Sequence, residues 1–121
     1  MRIKLGRQGE DCAAEFLKKN GYQIIGRNVR AKFGEIDLVA KEGQTLCFVE
    51  VKTGSDSKFG FPEERILFYK QQRLIRLAQW YLQRGRLGEI PVRFDVVSIL
   101  LGPDGSPART RLIKGAFEVS R

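Results

Sequence analysis

"GEIDLVAKEGQTLCFVEVKTG", Gly34 to Gly54, decides how this chain is read. Two apolar runs flank a polar break around Gly43-Gln44. The spacing predicts two strands, over 35–41 and 45–53, joined as a hairpin. Both runs carry charge where a core strand should carry none. Asp37 interrupts Ile36, Leu38, Val39 and Ala40, while Glu50 and Lys52 interrupt Leu46, Cys47, Phe48, Val49 and Val51. Charged side chains are rarely buried without partners, so these three positions require a chemical reason.

Glycine at the first central position of a two-residue loop is the signature of a type II′ turn. With Gly43-Gln44 as that loop, Glu42 pairs with Thr45 and the register sets Asp37 opposite Glu50. Their Cβ atoms would then be roughly 4.5–5.5 Å apart. A Glu42-Gly43 loop would instead set Glu35 opposite Glu50, with Asp37 on the same face. A three-residue loop would flip the parity. Glu50 and Lys52 are two apart on one strand and share a face. The hairpin therefore predicts a compact group of Asp37, Glu50 and Lys52.

Like charges directly opposed are destabilising. They persist at low cost when one carboxyl is protonated or a cation lies between them. Oxygen donors without His or paired Cys favour Mg²⁺ or Mn²⁺ over Zn²⁺. Such ions meet phosphate groups readily, which makes metal-assisted phosphodiester hydrolysis the chemistry this group suits. The bland alternative is a structural Lys–carboxylate pair on an amphipathic hairpin.

Outward from the hairpin, the pattern over 7–20 is helical, with Ala13, Ala14, Phe16 and Leu17 on one face and a stop at Asn20-Gly21. Glu10 falls on that inward face near the helix start, a candidate to join the acids on the hairpin. Segment 22–30 reads as a strand with Gly26 as a bulge. After Pro62 a helix is expected to run to about Arg84, with Leu67, Leu74, Ala78 and Tyr81 as its stripe and Gly85 as its stop. Strands are expected over 91–101 and, at a sheet edge, over 110–117. The order α, three strands, α, two strands predicts an α/β domain with a mixed central sheet and helices packed on it, spanning 1–121 without a linker.

The chain has 121 residues, 22 Lys and Arg against 14 Asp and Glu, and a net charge of +8. That surplus points to an anionic partner, foremost a nucleic acid. Histidine is absent, which excludes Ser-His-Asp hydrolases, Cys-His proteases and His-dependent nucleases. Cys12 and Cys47 lack CxxC spacing, so reduced thiols and a cytoplasmic setting are expected. The N-terminus has no apolar signal-peptide region, and no run approaches the ~18 apolar residues of a membrane span. Away from the expected stripe of the second helix, Arg65, Arg73 and Arg76 are candidate backbone contacts, with Lys70 nearer the core boundary. Arg7 and, in the Gly/Ser-rich stretch after Gly54, Lys58 are further candidates. Phe59 and Phe61 are positioned either to stack on a base or to anchor that stretch. Asp95 has Arg93 two residues away on the same face, which favours a structural pair.

"GRQGED", "GEIDLVA", "FVEVKTG" and "RFDVV", in that order, resemble the YraN-type family of small uncharacterised bacterial proteins. The likeness covers about 6–117. That family looks like a branch of the PD-(D/E)XK nuclease superfamily and is similar in layout to archaeal Holliday-junction resolvases. The resemblance implies an α-β-β-β-α-β restriction-endonuclease-like core. It assigns Asp37 as the motif's "D", Glu50-Val51-Lys52 as its "(D/E)XK" and Glu10 as the first-helix acid. Ile36 stands where the motif name has Pro. It further implies a Mg²⁺- or Mn²⁺-dependent endonuclease acting on DNA, with Asp37, Glu50 and the Val51 carbonyl as metal ligands. Branched or junction DNA is the implied substrate, and paired incision of a junction would require a homodimer. Fold does not fix activity, and the alternative is a non-catalytic nucleic-acid-binding module on the same fold.

Overall fold

The computed structural model describes residues 2–54 and 66–119, with side chains from Gln8 onward. Lys58, Phe59, Phe61 and Arg65 lie outside the described residues, as does the side chain of Arg7. The elements are α1 (Arg2–Lys19), β1 (Gln23–Ala31), β2 (Gly34–Glu42), β3 (Thr45–Gly54), α2 (Phe68–Gly85), β4 (Val92–Leu101) and β5 (Pro107–Ile113). The strands form one sheet in the order β1-β2-β3-β4-β5. Only β3 and β4 are parallel, and α2 supplies the crossover that a parallel pair requires. This is the mixed-sheet, restriction-endonuclease-like core expected from the sequence.

Each face of the sheet carries its own core. Ala13, Ala14 and Leu17 of α1 pack on Leu38, Ala40, Cys47, Val49, Val97 and Ile99. Leu74, Leu77 and Ala78 of α2 pack on Val39, Leu46, Phe48, Phe94 and Val96. Covered on both sides, β3 and β4 read as nearly continuous apolar runs. Phe48 is fully buried, with Tyr81 edge-on at 5.6 Å and Phe94 stacked at 5.8 Å. Truncating it to Ala would cost about 3–5 kcal/mol.

The ends of the helices explain their docking. Gly21, with φ of 89°, closes α1 in a Schellman motif: the Tyr22 N–H donates to the Leu17 carbonyl and the Gly21 N–H to that of Lys18. Tyr22 and Leu17 then enter the same core. Four sequence expectations need correction. Helix α1 begins at Arg2, five residues early. Helix α2 begins at Phe68, after Leu67 in an extended N-cap (φ −61°, ψ 148°), and Leu67 is 56% exposed rather than part of the stripe. Leu77 takes the buried position, and the Gln71 side chain anchors the turn by donating to the Ile66 carbonyl at 2.8 Å. Gly85 is the last helical residue, and Arg86 adopts the left-handed conformation. The last strand both starts and ends earlier than expected, at Pro107 and Ile113, but does lie at an edge. Gly26 does mark a bulge, where the β1–β2 register shifts. Among the described residues no helix is long and apolar enough to cross a membrane.

Candidate active site

The β2–β3 turn sets the site. Gly43 has φ of 59°, and Gln44 is not in the left-handed region, the combination of a type II′ turn. Glu42 pairs with Thr45, and the ladder proceeds in register to Leu38–Val49. It stops one pair short of Asp37–Glu50. There Asp37 Oδ2 accepts the Val51 N–H at 2.9 Å, so a carboxylate occupies a bond that a strand carbonyl would otherwise fill. On the other side, β1 pairs Arg27 with Leu38 and Val29 with Ile36, and Asn28 between them lies at φ 50°. The alternation breaks here as well: Ile36 and Val39 both join the α2-side core, while Leu38 joins the α1-side core. β2 is locally distorted where it carries Asp37.

Strand β3 stays regular through this region against β4, pairing Glu50 with Val96 and Lys52 with Ser98. Glu50 and Lys52 continue the row that holds Leu46 and Phe48 toward α2. On the opposite row, Gly9 of α1 lies so close that a Cβ there would come 2.6 Å from Thr53 Oγ1. That close approach brings Glu10, the next residue on α1, against the end of the hairpin.

The electrostatics follow. Burial pushes the Asp37 carboxyl up to about 7, and the nearby carboxylates of Glu50, Glu10 and Glu35 push in the same direction. The Val51 N–H pulls it down but does not prevail. Glu50 Oε2 is buried with no hydrogen-bond partner, and so is Ser98 Oγ. Among the described residues no three Asp, Glu or Cys side chains form a ready-made metal cage.

The structure thus brings Asp37, Glu50, Val51 and Glu10 together, with Lys52 half-buried on the same strand. Lys70 is half-buried on α2. Arg73 and Arg76 are exposed, Arg73 above Tyr69 (5.9 Å) and Arg76 above Phe33 (5.0 Å). Sequence reasoning missed Ser98, whose polar character in an apolar strand was a readable signal, and Asn28, whose role depends on left-handed backbone. Asp95 lies apart from the site. Arg93 holds it from Nε at 2.8 Å and Nη2 at 3.0 Å, the Tyr22 hydroxyl at 3.0 Å and the Gly115 N–H at 2.9 Å.

Sequence comparison gives the chain a family. Residues 9–99 match the family described as "Uncharacterised protein family UPF0102". A UPF0102 protein of Symbiobacterium thermophilum is 51% identical over 117 residues, covering 97% of this chain and 98% of its own. Another from Caldicellulosiruptor saccharolyticus is 47% identical over 114 residues, covering 94% and 97%. A third, from Syntrophus aciditrophicus, is 42% identical over 118 residues, covering 98% and 91%. The chain is an α/β protein with a nuclease-type core, and it belongs to the UPF0102 family.

Proposed function

We propose that this protein is a metal-dependent endonuclease that hydrolyses phosphodiester bonds in DNA. The observation that carries the reading is the buried, unpartnered Glu50 Oε2 beside an Asp37 carboxyl pushed up to about 7. An orphaned carboxylate oxygen next to a second acid is costly in a folded protein unless a cation completes it. The donor set fits a hard ion: Asp37 and Glu50 would be ligands and the Val51 carbonyl a third, all of them oxygens. Mg²⁺ or Mn²⁺ held there would supply Lewis acidity toward a phosphate oxygen and the attacking water.

The chain's own groups do the rest. Asp37 is oriented by the Val51 N–H, which fixes one of its oxygens. Lys52 sets a compact ammonium two residues from Glu50, suited to orienting the attacking water or neutralising charge that develops on phosphorus. Glu10 contributes a third acid from α1. The surplus of eight positive charges provides attraction for the polyanion.

The test is a cleavage assay with Mn²⁺ over linear, single-stranded, flap and junction DNA, run beside calorimetric titration of the ion. Metal-dependent cleavage lost in Glu50→Gln supports the reading. Metal and DNA binding without cleavage would leave only a binding module, and binding of neither would leave a structural acid cluster. Affinity for DNA should fall by about two to four decades between ~50 and ~200 mM salt, as release of counterions from roughly four to eight phosphates requires.

A further inference from the structure

Between the β1–β2 turn and the C-terminal half of α2 lie two cavities of 440 and 580 Å³. Both are bordered by Arg30, Trp80 and Arg84, so they read as one groove. Lys32 and Phe33 line one end, and Tyr81 lines the other. Among the described residues no acid lines either cavity. Arg84 lies 5.3 Å above the Trp80 ring and Arg76 5.0 Å above that of Phe33, which is 37% exposed. Arg30 lies 3.8 Å from the acid Glu35, but its side chain is 80% exposed, so that pair is weak and exchangeable.

We propose that this groove receives an unpaired nucleotide strand, with bases stacking on Trp80 and Phe33 and phosphates meeting Arg30, Lys32 and Arg84. Flat aromatic faces interleaved with guanidinium groups are the chemistry of single-strand binding. Every base offers a π face, and every linkage a charge. Bases stacked inside a duplex cannot reach such faces. An acidic peptide would use the cations but not the rings. The groove begins at Phe33, four residues before Asp37 along extended chain, or about 13 Å at ~3.3 Å per residue. The assignment rests on the nuclease reading in making the strand part of a substrate: duplex DNA with a single-stranded arm, the arm lying in the groove and the cut falling near Asp37.

Trp80 is the chain's one tryptophan, so its emission reports the groove directly. The full-length protein in EDTA is titrated with an oligothymidylate of about ten nucleotides and with a blunt duplex of the same length, while anisotropy of the labelled DNA is followed in parallel. Saturable quenching by the single strand, and little by the duplex, is expected. Arg84→Glu and Phe33→Ala, both at exposed positions, should weaken single-strand binding about ten-fold. Glu50→Gln should leave the quenching unchanged. Anisotropy that rises without quenching, equal quenching by the duplex, wild-type affinity in Arg84→Glu, or no single-strand binding would each overturn the groove. Quenching by a protein that cleaves nothing would refute the nuclease and keep the groove, whereas cleavage without quenching would do the reverse.

Discussion

Acids on neighbouring strands meet opposite fates: Asp95 is buried on β4, whereas Asp37 and Glu50 are half-buried on β2 and β3. Asp95 on β4 is closed off by Arg93, Tyr22 and the Gly115 N–H. Its guanidinium partner reaches on to Glu42 at 2.8 Å, which Lys114 also holds at 2.6 Å. The pair of cations keeps Glu42 below the usual carboxylate range. The same network has only local side effects: burial and Asp95 hold the Tyr22 hydroxyl protonated and push the Cys47 thiol up to about 11. Around Asp37, by contrast, the carboxylates of Glu50, Glu10 and Glu35 all push in one direction, and Glu50 Oε2 is left without a hydrogen-bond partner. A buried acid that is saturated by cations and donors holds the fold. One that is left open against other acids raises the free energy of the empty protein and awaits a charge from outside.

The sharpest test of that contrast is Lys52→Ala. If Lys52 acts on the reaction, turnover on the best DNA substrate falls by about two to four decades, while calorimetric affinity for Mn²⁺ is kept or increased. Loss of metal binding together with unfolding would move Lys52 to the structural side. Next comes Asp95→Ala, which takes the acceptor from Arg93, the Tyr22 hydroxyl and the Gly115 N–H and leaves Glu42 as the guanidinium's partner; it should cost about 1–3 kcal/mol in urea unfolding. A variant as stable as the parent would erase the contrast from the structural end. Glu50→Gln should do the opposite: no activity, yet metal-free stability equal to the parent or higher, because it removes one of two apposed charges. A clear fall in its metal-free Tm would break the comparison from the other side.

The smallest effect concerns pH. Folding raises the Asp37 carboxyl from 3.8 to about 7, so between those values the folded state binds the proton that the unfolded chain releases. This contribution to stability is largest below about pH 4, is lost as pH climbs to about 7, and stays lost above. Asp37→Asn abolishes it and keeps an oxygen for the Val51 N–H. Relative to the parent without metal, that variant should gain stability from acidic to alkaline pH, by up to a few kcal/mol at pH ~8. Added Mg²⁺ should reverse the order by stabilising the parent alone. Parallel pH–stability curves would deny Asp37 its raised titration.

Much of this was legible in residues 34–54 because period and turn chemistry act locally. Gly43 selected the II′ turn, the turn fixed parity, and parity brought Asp37 to the level of Glu50. What the pattern could not supply was the way the ladder ends. A side-chain oxygen replaces a backbone acceptor there because β2 is distorted opposite a left-handed Asn28, a tertiary adjustment with no periodic trace. The start of α2 was misread for a related reason: helix periodicity continues through Leu67, but burial of Ile66 in the sheet core holds the chain extended until Phe68. The basic, aromatic groove was out of reach, since Phe33 and Trp80 are neighbours only through packing.

The Gly43–Gln44 turn has a consequence for what this chain can tolerate. Surface turns usually accept insertions. Here five ladder pairs, from Glu42–Thr45 to Leu38–Val49, separate the turn from the acids and translate its length into their alignment. Identity at the exposed Gln44 is free; length is not. One added residue would turn Asp37 away from Glu50 while leaving both in the chain. The Gly102–Ser106 turn between β4 and β5 carries no such duty, with Asp104 bonded to Ser106 within the turn. A tag or a new terminus placed there should leave the acids aligned. The same insertion at the hairpin tip, about 17 Å from the site at ~3.3 Å per residue, would act as an active-site mutation.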